Sequence, residues 1–190
     1  MNVTTYPAPP LPPGRPGVVI TGFMGTGKST VGRIVADRLG VGFVDLDEVV
    51  AARAGMAVAD VITNMGEHAF RELERRALAD AARLSGTVVA TGGGGVLHDP
   101  EFRQLAGGSV VVVLTCEPAE ILRRVSDGDR PLLRPDPATA VDALMRQRAD
   151  RYAAAGRAID TTGRAPEAVA DEVIELFQEQ HPEATLHLTV

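Results

Sequence analysis

The segment GFMGTGKS at residues 22–29 constrains the fold of this chain more than any other feature. It matches the spacing G-x-x-x-x-G-K-[ST] at every defined position. An apolar run, Val18 to Ile20, precedes it, and a helical pattern over residues 28–39 follows it. Glycines let backbone N–H groups turn inward around phosphate oxygens, and the helix presents the positive end of its dipole to the same anion. The sequence therefore predicts a strand, a phosphate-binding loop and a helix, in that order.

Apolar β-branched runs alternate with helical patterns along the rest of the chain. The predicted strands cover residues 18–20, 43–44, 87–90, 110–114 and 158–160. The predicted helices cover residues 28–39, 48–54, 58–64, 67–84, 118–125, 138–155 and 166–178. A loop is predicted at 129–137, which contains three prolines. This alternation is typical of the α/β class, in which a parallel sheet carries helices on both faces.

Length and composition predict one folded domain with short tails. The chain has 190 residues, of which 45% are hydrophobic, enough for a core. Residues 1–16 are predicted to be a proline-rich disordered tail, residues 17–180 the folded domain, and residues 181–190 a loose C-terminal tail. The single cysteine, Cys116, excludes a disulfide within the chain and is expected to be buried.

Charge and hydropathy narrow the set of partners. The formal net charge of -6 disfavours nucleic acid as the main partner, because phosphate backbones attract basic surfaces. No apolar stretch approaches the roughly 20 residues needed to span a bilayer. The N-terminus lacks the basic start and apolar middle of a signal peptide. We therefore expect a cytoplasmic protein that binds neither nucleic acid nor membrane.

Two carboxylates follow the second predicted strand. Asp45 and Asp47 stand two residues apart, so in extended chain they point to the same side. The strand ends at the sheet edge where open α/β sheets bind ligands. One carboxylate is suited to hold Mg²⁺, and the other to orient a substrate hydroxyl or accept its proton. The alternative is that Asp47 only caps the helix that begins at Glu48.

A pair of charges and a run of glycines come next. Arg71 and Glu74 share one helix face, so they form either a surface ion pair or a unit in which Glu74 orients Arg71 toward a substrate carboxylate. The run TGGGG at residues 91–95 follows the third predicted strand. It is either a flexible turn or a place where backbone passes close to a ligand. Four glycines exceed what a tight turn needs, which favours close approach.

Further arginines follow the fourth predicted strand. Arg130 opens the proline-containing loop, where a closing cation would stabilise charge on a transferring phosphoryl group. Arg148 and Tyr152 lie one turn apart on the next predicted helix. Taken alone, that spacing predicts an ordinary solvated helix face.

The segments GFMGTGKST, DLD, GEHAFRELE, TGGGG, RPLL and RADRY occur in this order, and together they resemble the shikimate kinase family over about residues 18–177. The resemblance implies a three-layer α/β/α fold like that of the nucleoside monophosphate kinases, with a five-stranded parallel sheet and a mobile lid. It also implies transfer of phosphate from ATP, with Mg²⁺, to the 3-hydroxyl of shikimate in aromatic amino-acid (chorismate) biosynthesis. The enzyme is expected to be a monomer.

The resemblance further implies roles for individual residues. Those expected to bind ATP are Gly25, Thr26, Gly27, Lys28, Ser29, Thr30, Arg124, Arg130 and Arg164. Those expected to bind shikimate are Asp47, Arg71, Gly92, Gly93, Gly94 and Arg148. Lys28, Asp47 and Arg130 are the expected catalytic residues, and Ser29 and Asp45 are expected to hold one Mg²⁺ with ATP. The spacing before Arg130 leaves open whether Arg123 or Arg124 contacts the adenine.

Two other functions share parts of this pattern. A related small-molecule kinase, for gluconate or a nucleoside monophosphate, would keep the phosphate-binding loop but needs different contacts to its acceptor. A nucleotide-dependent regulatory module that has lost catalysis would bind ATP without forming ADP. The intact set of Lys28, Asp47 and Arg130 argues against the second alternative.

Overall fold

Five parallel strands form one sheet in the computed structural model, which describes residues 17–125 and 130–182. The strands are β1 (Val18–Gly22), β2 (Gly42–Asp45), β3 (Thr87–Ala90), β4 (Val110–Thr115) and β5 (Arg157–Asp160). Their spatial order is β2-β3-β1-β4-β5, so β1 lies at the centre, with Ile20 opposite Ala90 on one side and Val112 on the other. The predicted five-stranded parallel sheet is confirmed. The predicted tail at residues 1–16 lies outside the described residues, and so does most of the tail predicted at 181–190, namely residues 183–190.

Helices connect the strands and cover the sheet. They are α1 (Lys28–Leu39), α2 (Leu46–Ala54), α3 (Val58–Met65), α4 (Glu67–Ala81), α5 (Asp99–Ala106), α6 (Pro118–Val125), α7 (Pro137–Ala155) and α8 (Pro166–Gln180). There are also two short 3-10 turns. The first, Gly95–Leu97, follows β3, and the second, Pro131–Leu133, precedes α7. The second of these turns lies in the segment that was predicted as a loop.

Apolar side chains fill both faces of the sheet and give the three layers. On one face, α1 and α8 pack against β1, β3 and β4 through residues such as Val35, Val173 and Phe177. On the other face, α2 to α5 pack through residues such as Leu78 and Phe102. A third cluster joins the phosphate-binding loop to α6 and α7 and contains Cys116, which is buried as predicted.

Two helices differ from the sequence prediction in ways that matter for the site. Helix α2 begins at Leu46, two residues earlier than expected, because Asp45 caps it through a hydrogen bond from the Asp47 N–H to Asp45 Oδ1 at 3.0 Å. Helix α5 was not predicted. It is only eight residues long, carries a proline in its first turn and buries only Phe102 and Leu105, so it offers few apolar positions from which to predict a helix.

No helix in the described ranges, 17–125 and 130–182, is long and apolar enough to cross a membrane.

Candidate active site

The phosphate-binding loop leaves β1 and closes on itself before α1. Gly25 and Gly27 have φ of 78° and 94°, which a side chain would disfavour. The Thr26 hydroxyl and the Lys28 ammonium both donate to the Phe23 carbonyl, at 2.8 Å and 2.9 Å. Gly27 offers α1 no side-chain cap, so the first N–H groups of the helix are suited to bind an anion. The predicted strand, loop and helix are therefore all present.

Lys28 and Asp47 are charged side chains in a largely buried environment, and each influences the pKa of the other. Burial lowers the pKa of Lys28, although Asp47 and Asp45 oppose the shift by favouring its charged form. Burial also raises the pKa of Asp47 to about 6, an effect that Lys28 opposes. A carboxylate with this pKa is ionised at neutral pH and still basic enough to accept a proton.

Asp45 and Asp47 come together by a different route from the one that the sequence predicted. Asp45 ends β2, whereas Asp47 lies in the first turn of α2, so the alternation of an extended strand does not explain their pairing. The alternative, in which Asp47 caps the helix, is wrong as well, because the cap is Asp45. This arrangement leaves the Asp47 side chain to line the cavity described below.

Glu74 orients Arg71, as the sharper of the two sequence interpretations predicted. Arg71 Nη1 donates to Glu74 Oε2 at 2.8 Å, and the Glu74 side chain is only 1% exposed. On its outer side, Arg71 donates through Nε and Nη2 to Glu67, whose side chain is 55% exposed. The buried carboxylate of Glu74 therefore fixes the guanidinium on its inner side. On the outer side, the guanidinium is bound by the exposed carboxylate of Glu67, which water or another anion can displace.

Arg148 is buried, and the predicted solvated helix face is wrong at this position. The residue is 2% exposed, its Nη1 donates to the Gly93 carbonyl at 3.0 Å, and its guanidinium lies 5.7 Å from the centre of the Phe23 ring. The Tyr152 hydroxyl donates to the same carbonyl at 2.6 Å. Within the described residues, Arg148 Nε has no hydrogen-bond partner. A buried cation with an unused donor is costly unless a ligand satisfies it.

The glycines after β3 allow side chains to approach the backbone closely. A Cβ on Gly92 would lie 2.4 Å from Glu74 Oε1 and 2.8 Å from Asp47 Oδ1, and one on Gly94 would lie 2.0 Å from Arg71 Nη1. Two of the four glycines, Gly92 and Gly94, are therefore explained by charged side chains of the site, which lie against the backbone there.

A cavity of about 430 Å³ brings most of these side chains together. Its polar lining consists of Asp47, Arg71, Gly93, Gly94, Arg130 and Arg148. Its apolar lining includes Met24, Val58, Ile62, Phe70, Pro131 and Leu132. Since Met24 belongs to the phosphate-binding loop, the cavity lies directly beside that loop. Five of the six residues expected to bind shikimate line it, and the sixth, Gly92, lies against Asp47.

The remaining predicted residues surround the phosphate-binding loop. Ser29 and Thr30 are exposed in the first turn of α1. Arg124 reaches the loop, because its Nη1 donates to the Gly25 carbonyl at 3.3 Å and its Nη2 to the Thr161 carbonyl at 2.9 Å. Arg123 is 72% exposed and pairs with Glu120. Arg124 therefore contacts the phosphate-binding loop directly.

Arg164 lies farther along the same edge of the sheet. It donates to the Asp160 carbonyl at 2.9 Å and pairs with Glu172 at 2.8 Å. Thr161 lies between Arg164 and Arg124, since the Arg164 N–H bonds the Thr161 carbonyl at 3.2 Å. The two arginines therefore flank one short segment after β5.

Sequence reasoning missed two features of this site. One is the apolar wall of the cavity, which helix α3 supplies through its strongly amphipathic sequence. The other is His98, whose Nε2 lies 3.0 Å from Glu74 Oε2. A histidine that closely follows the glycine run was the available signal, but nothing local indicated its partner.

Replacing Gly94 by alanine should test the close packing around Arg71. The backbone of Gly94 has φ -98° and ψ -3°, which alanine adopts without strain, so the effect should be purely steric. The new methyl group displaces the Arg71 guanidinium, and we expect the KM for the acid substrate to rise by about ten-fold or more. Gly107→Ala is the control, because alanine also adopts the backbone conformation of Gly107 without strain and Gly107 is exposed, away from the site. Equal kinetics in the two variants would contradict the packing argument.

The sequence and the fold of this chain are similar to those of known shikimate kinases. The family model described as shikimate kinase matches residues 24–178. A shikimate kinase of Caldanaerobacter subterraneus is 43% identical over 84% of this chain and 95% of its own length, and one of Geobacter sulfurreducens is 44% identical over 85% and 91%. The structure of shikimate kinase from Acinetobacter baumannii in complex with shikimate superposes with a TM-score of 0.83, at 29% identity, over 88% of this chain and 95% of the other. The chain belongs to the shikimate kinase family.

Proposed function

We propose that this protein transfers the γ-phosphoryl group of ATP to the 3-hydroxyl of shikimate, giving shikimate 3-phosphate and ADP. One observation carries the proposal above all others: the buried and incompletely bonded Arg148 shares a cavity with Arg71 and Asp47, directly beside the phosphate-binding loop. The cavity therefore offers two cations for an organic acid and one carboxylate for a hydroxyl.

The acid end of the substrate is bound by the two arginines. The substrate carboxylate takes the place of Glu67 on Arg71, because an exposed carboxylate is easily exchanged, while Glu74 keeps the guanidinium in position. The same carboxylate accepts from the guanidinium of Arg148, which also lines the cavity. Gly92, Gly93 and Gly94 form the adjoining wall of the pocket.

The hydroxyl end of the substrate lies against Asp47. The Asp47 carboxylate orients the hydroxyl in line with the phosphoryl group and accepts its proton, for which a pKa of about 6 is suitable. Lys28 moves from the Phe23 carbonyl to the phosphates when ATP binds. Arg130, which lines the cavity and acts electrostatically on Lys28 and Asp47, stabilises charge on the transferring group.

The rest of the nucleotide is bound around the loop. Residues Gly25 to Thr30 supply backbone and hydroxyl donors to the phosphates. Arg124 and Arg164, which flank Thr161, form the adenine side of the site. Arg124 is favoured over Arg123 because it reaches the Gly25 carbonyl.

The donor atoms also suit one Mg²⁺ bound with ATP. Among the described residues, no cluster of three or more His, Cys, Asp or Glu could hold a metal ion by itself. Mg²⁺ in kinases is bound by few protein ligands together with phosphates and water, and one hydroxyl with one carboxylate fits that pattern. Ser29 and Asp45 are therefore the proposed ligands. The ion supplies charge neutralisation on the phosphates when it is bound.

A related kinase for gluconate or a nucleoside monophosphate is the main alternative. A gluconokinase from Sinorhizobium meliloti superposes with a TM-score of 0.58 at 15% identity, which shows a shared fold and no more. The arginine pair in the cavity favours an acid acceptor, and the family match favours shikimate. A non-catalytic binding module is disfavoured because Lys28, Asp47 and Arg130 are all directed at one site.

A substrate panel tests the proposal. ADP release should be measured with ATP and Mg²⁺ and with shikimate, gluconate, AMP or no acceptor. We expect fast ADP release with shikimate only. About one ADP should be released for each shikimate 3-phosphate formed. Release that is independent of shikimate, or faster with gluconate, would contradict the proposal.

Substitution of Arg71 tests the acid-binding role. Arg71→Ala should raise the KM for shikimate by about a hundred-fold or more, because a charge-assisted, two-point contact is lost, while the KM for ATP stays within about two-fold. Arg71→Lys keeps the charge without the planar fork and should recover only part of the loss. Arg76→Ala is the matched control, since Arg76 lies on the same helix, is exposed and pairs with Glu72. An unchanged KM for shikimate in Arg71→Ala would exclude this role.

The protein is further proposed to act as a monomer in the cytoplasm, with small molecules as its partners. Its acidic charge supports the absence of nucleic acid. The large hydrophobic side chains exposed in the described ranges, Met65, Leu84 and Leu97, come from separate elements and give little support to a dimer interface. Light scattering should give a mass near 20.0 kDa, and a mass twice as large would overturn the monomer.

A further inference from the structure

His98 contacts Glu74, the buried carboxylate of the Arg71–Glu74 ion pair. Its Nε2 lies 3.0 Å from Glu74 Oε2, the same oxygen that accepts from Arg71 Nη1 at 2.8 Å. His98 is itself 13% exposed and does not line the cavity. The His98 ring can therefore influence the substrate cavity through its hydrogen bond to Glu74.

The backbone of His98 is held firmly at a junction of two helical elements. Its N–H donates to the Gly95 carbonyl at 3.1 Å and ends the 3-10 turn, while its carbonyl accepts from the Phe102 N–H at 2.8 Å and begins α5. The ring is therefore presented to Glu74 from a fixed point. Two other carboxylates stand close to His98 in the chain, and both are paired with arginines: Asp99 with Arg103 at 2.9 Å and Glu101 with Arg75 at 2.8 Å. The hydrogen-bond partner of the His98 ring is Glu74.

Glu74 depends on its two partners because it is almost completely buried. Its second oxygen, Oε1, has no hydrogen bond within the described residues. Burial alone would raise the pKa of Glu74, but the hydrogen bond from His98 and the charge of Arg71 outweigh it, and the pKa is lowered. An ionised carboxylate only accepts hydrogen bonds, so His98 Nε2 carries the proton.

We propose that His98 is a positioning residue, which fixes the Glu74 carboxylate and through it the Arg71 guanidinium in the orientation that binds the acid substrate. Without His98, the carboxylate is free to rotate about its last bond, and Arg71 loses the fixed acceptor that aims it into the cavity. This inference rests on the proposed role of Arg71. It predicts an effect on shikimate binding that is separate from ATP binding and from the chemical step.

Three variants of His98 distinguish positioning from simple structural support. His98→Ala should raise the KM for shikimate by about five-fold, less than the full effect of a hydrogen bond to a charged group because the lost bond acts on the substrate indirectly, with kcat and the KM for ATP within about two-fold. His98→Gln places an amide N–H near the position of Nε2 and should restore the KM to within about two-fold of the native value. His98→Asn is too short to reach Glu74 and should behave like alanine. His68→Ala, an exposed histidine on the helix that carries Glu74, is the control.

A double-mutant cycle tests whether His98 acts through Arg71. In an Arg71→Ala background, His98→Ala should lower kcat/KM for shikimate by less than about two-fold, because there is no guanidinium left to position. A full five-fold loss in that background would overturn the inference while leaving the role of Arg71 intact. So would glutamine and asparagine variants with equal KM values, a comparison that stands even if the alanine variant does not fold. If Arg71→Ala itself leaves the KM for shikimate unchanged, the proposed acid site and this inference both fail.

Discussion

Replacing Lys28 by methionine should lower kcat by at least about a hundred- to a thousand-fold, the effect of removing one directed donor from a transferring group. Methionine is close to lysine in length and shape, but it lacks both the charge and the N–H donors of the ammonium group. Lys28 is the only lysine of the chain, so no neighbouring ammonium group can replace it. The measurement is ADP formation at saturating ATP and shikimate, together with the melting temperature of the variant.

The stability of this variant helps to interpret its kinetics. Because burial lowers the pKa of Lys28, removing its charge relieves a desolvation cost, and we expect the melting temperature to stay equal or to rise. Arg33→Met removes an exposed cation from the same helix and should leave kcat unchanged. A Lys28→Met enzyme with near-native turnover would show that the loop at residues 22–29 does not bind the reacting phosphate.

Replacing Asp47 by asparagine should have the second-largest effect, a fall in kcat of about a hundred- to ten-thousand-fold. Asparagine fills the same space and still contacts the hydroxyl, but it accepts no proton. The KM for shikimate should change by less than about five-fold, since the arginines supply most of the binding. Steady-state kinetics with each substrate varied in turn separates the two constants.

The pH dependence of the native enzyme gives an independent test of Asp47. Its pKa is raised to about 6, so the carboxylate is ionised above that pH and protonated below it. We expect kcat/KM for shikimate to be constant above pH 6 and to fall about ten-fold per pH unit below it. Glu48→Gln, which changes the exposed neighbouring carboxylate, should keep this profile, and Asp47→Asn should lose it. A native profile that stays flat down to pH 5 would argue against a proton acceptor with this pKa.

Local patterns in the sequence were sufficient to predict the sheet and the phosphate-binding loop. Strands β1, β3 and β4 carry β-branched apolar runs, and the loop combines glycines with the strand and helix that its chemistry requires. Helix α5 and the start of α2 were missed for local reasons too. Helix α5 is short and has only two buried apolar residues, and the start of α2 depends on whether Asp45 or Asp47 caps the helix, which spacing does not decide.

Burial and long-range pairing were beyond the reach of the sequence. The position of Arg148 on its helix suggests a surface residue. In the structure, α7 packs against the glycine run after β3, and this packing buries Arg148. His98 and Glu74 are 24 positions apart, and their contact exists only because α4 and α5 pack together. Such contacts depend on tertiary packing, whereas the family resemblance supplied the candidate residues without the reason for their placement.

The central claim is geometric: one cavity holds an organic acid by two arginines and presents its hydroxyl to Asp47 and the phosphate-binding loop. A crystal structure of the protein with ADP and shikimate tests it directly. We expect the carboxylate of the acid to lie within hydrogen-bond distance of Arg71 and Arg148, with a ring hydroxyl on Asp47 and the β-phosphate on the N–H groups of residues 25–29. An acid bound outside the cavity, or one bound there with its carboxylate toward Asp47, would contradict the account.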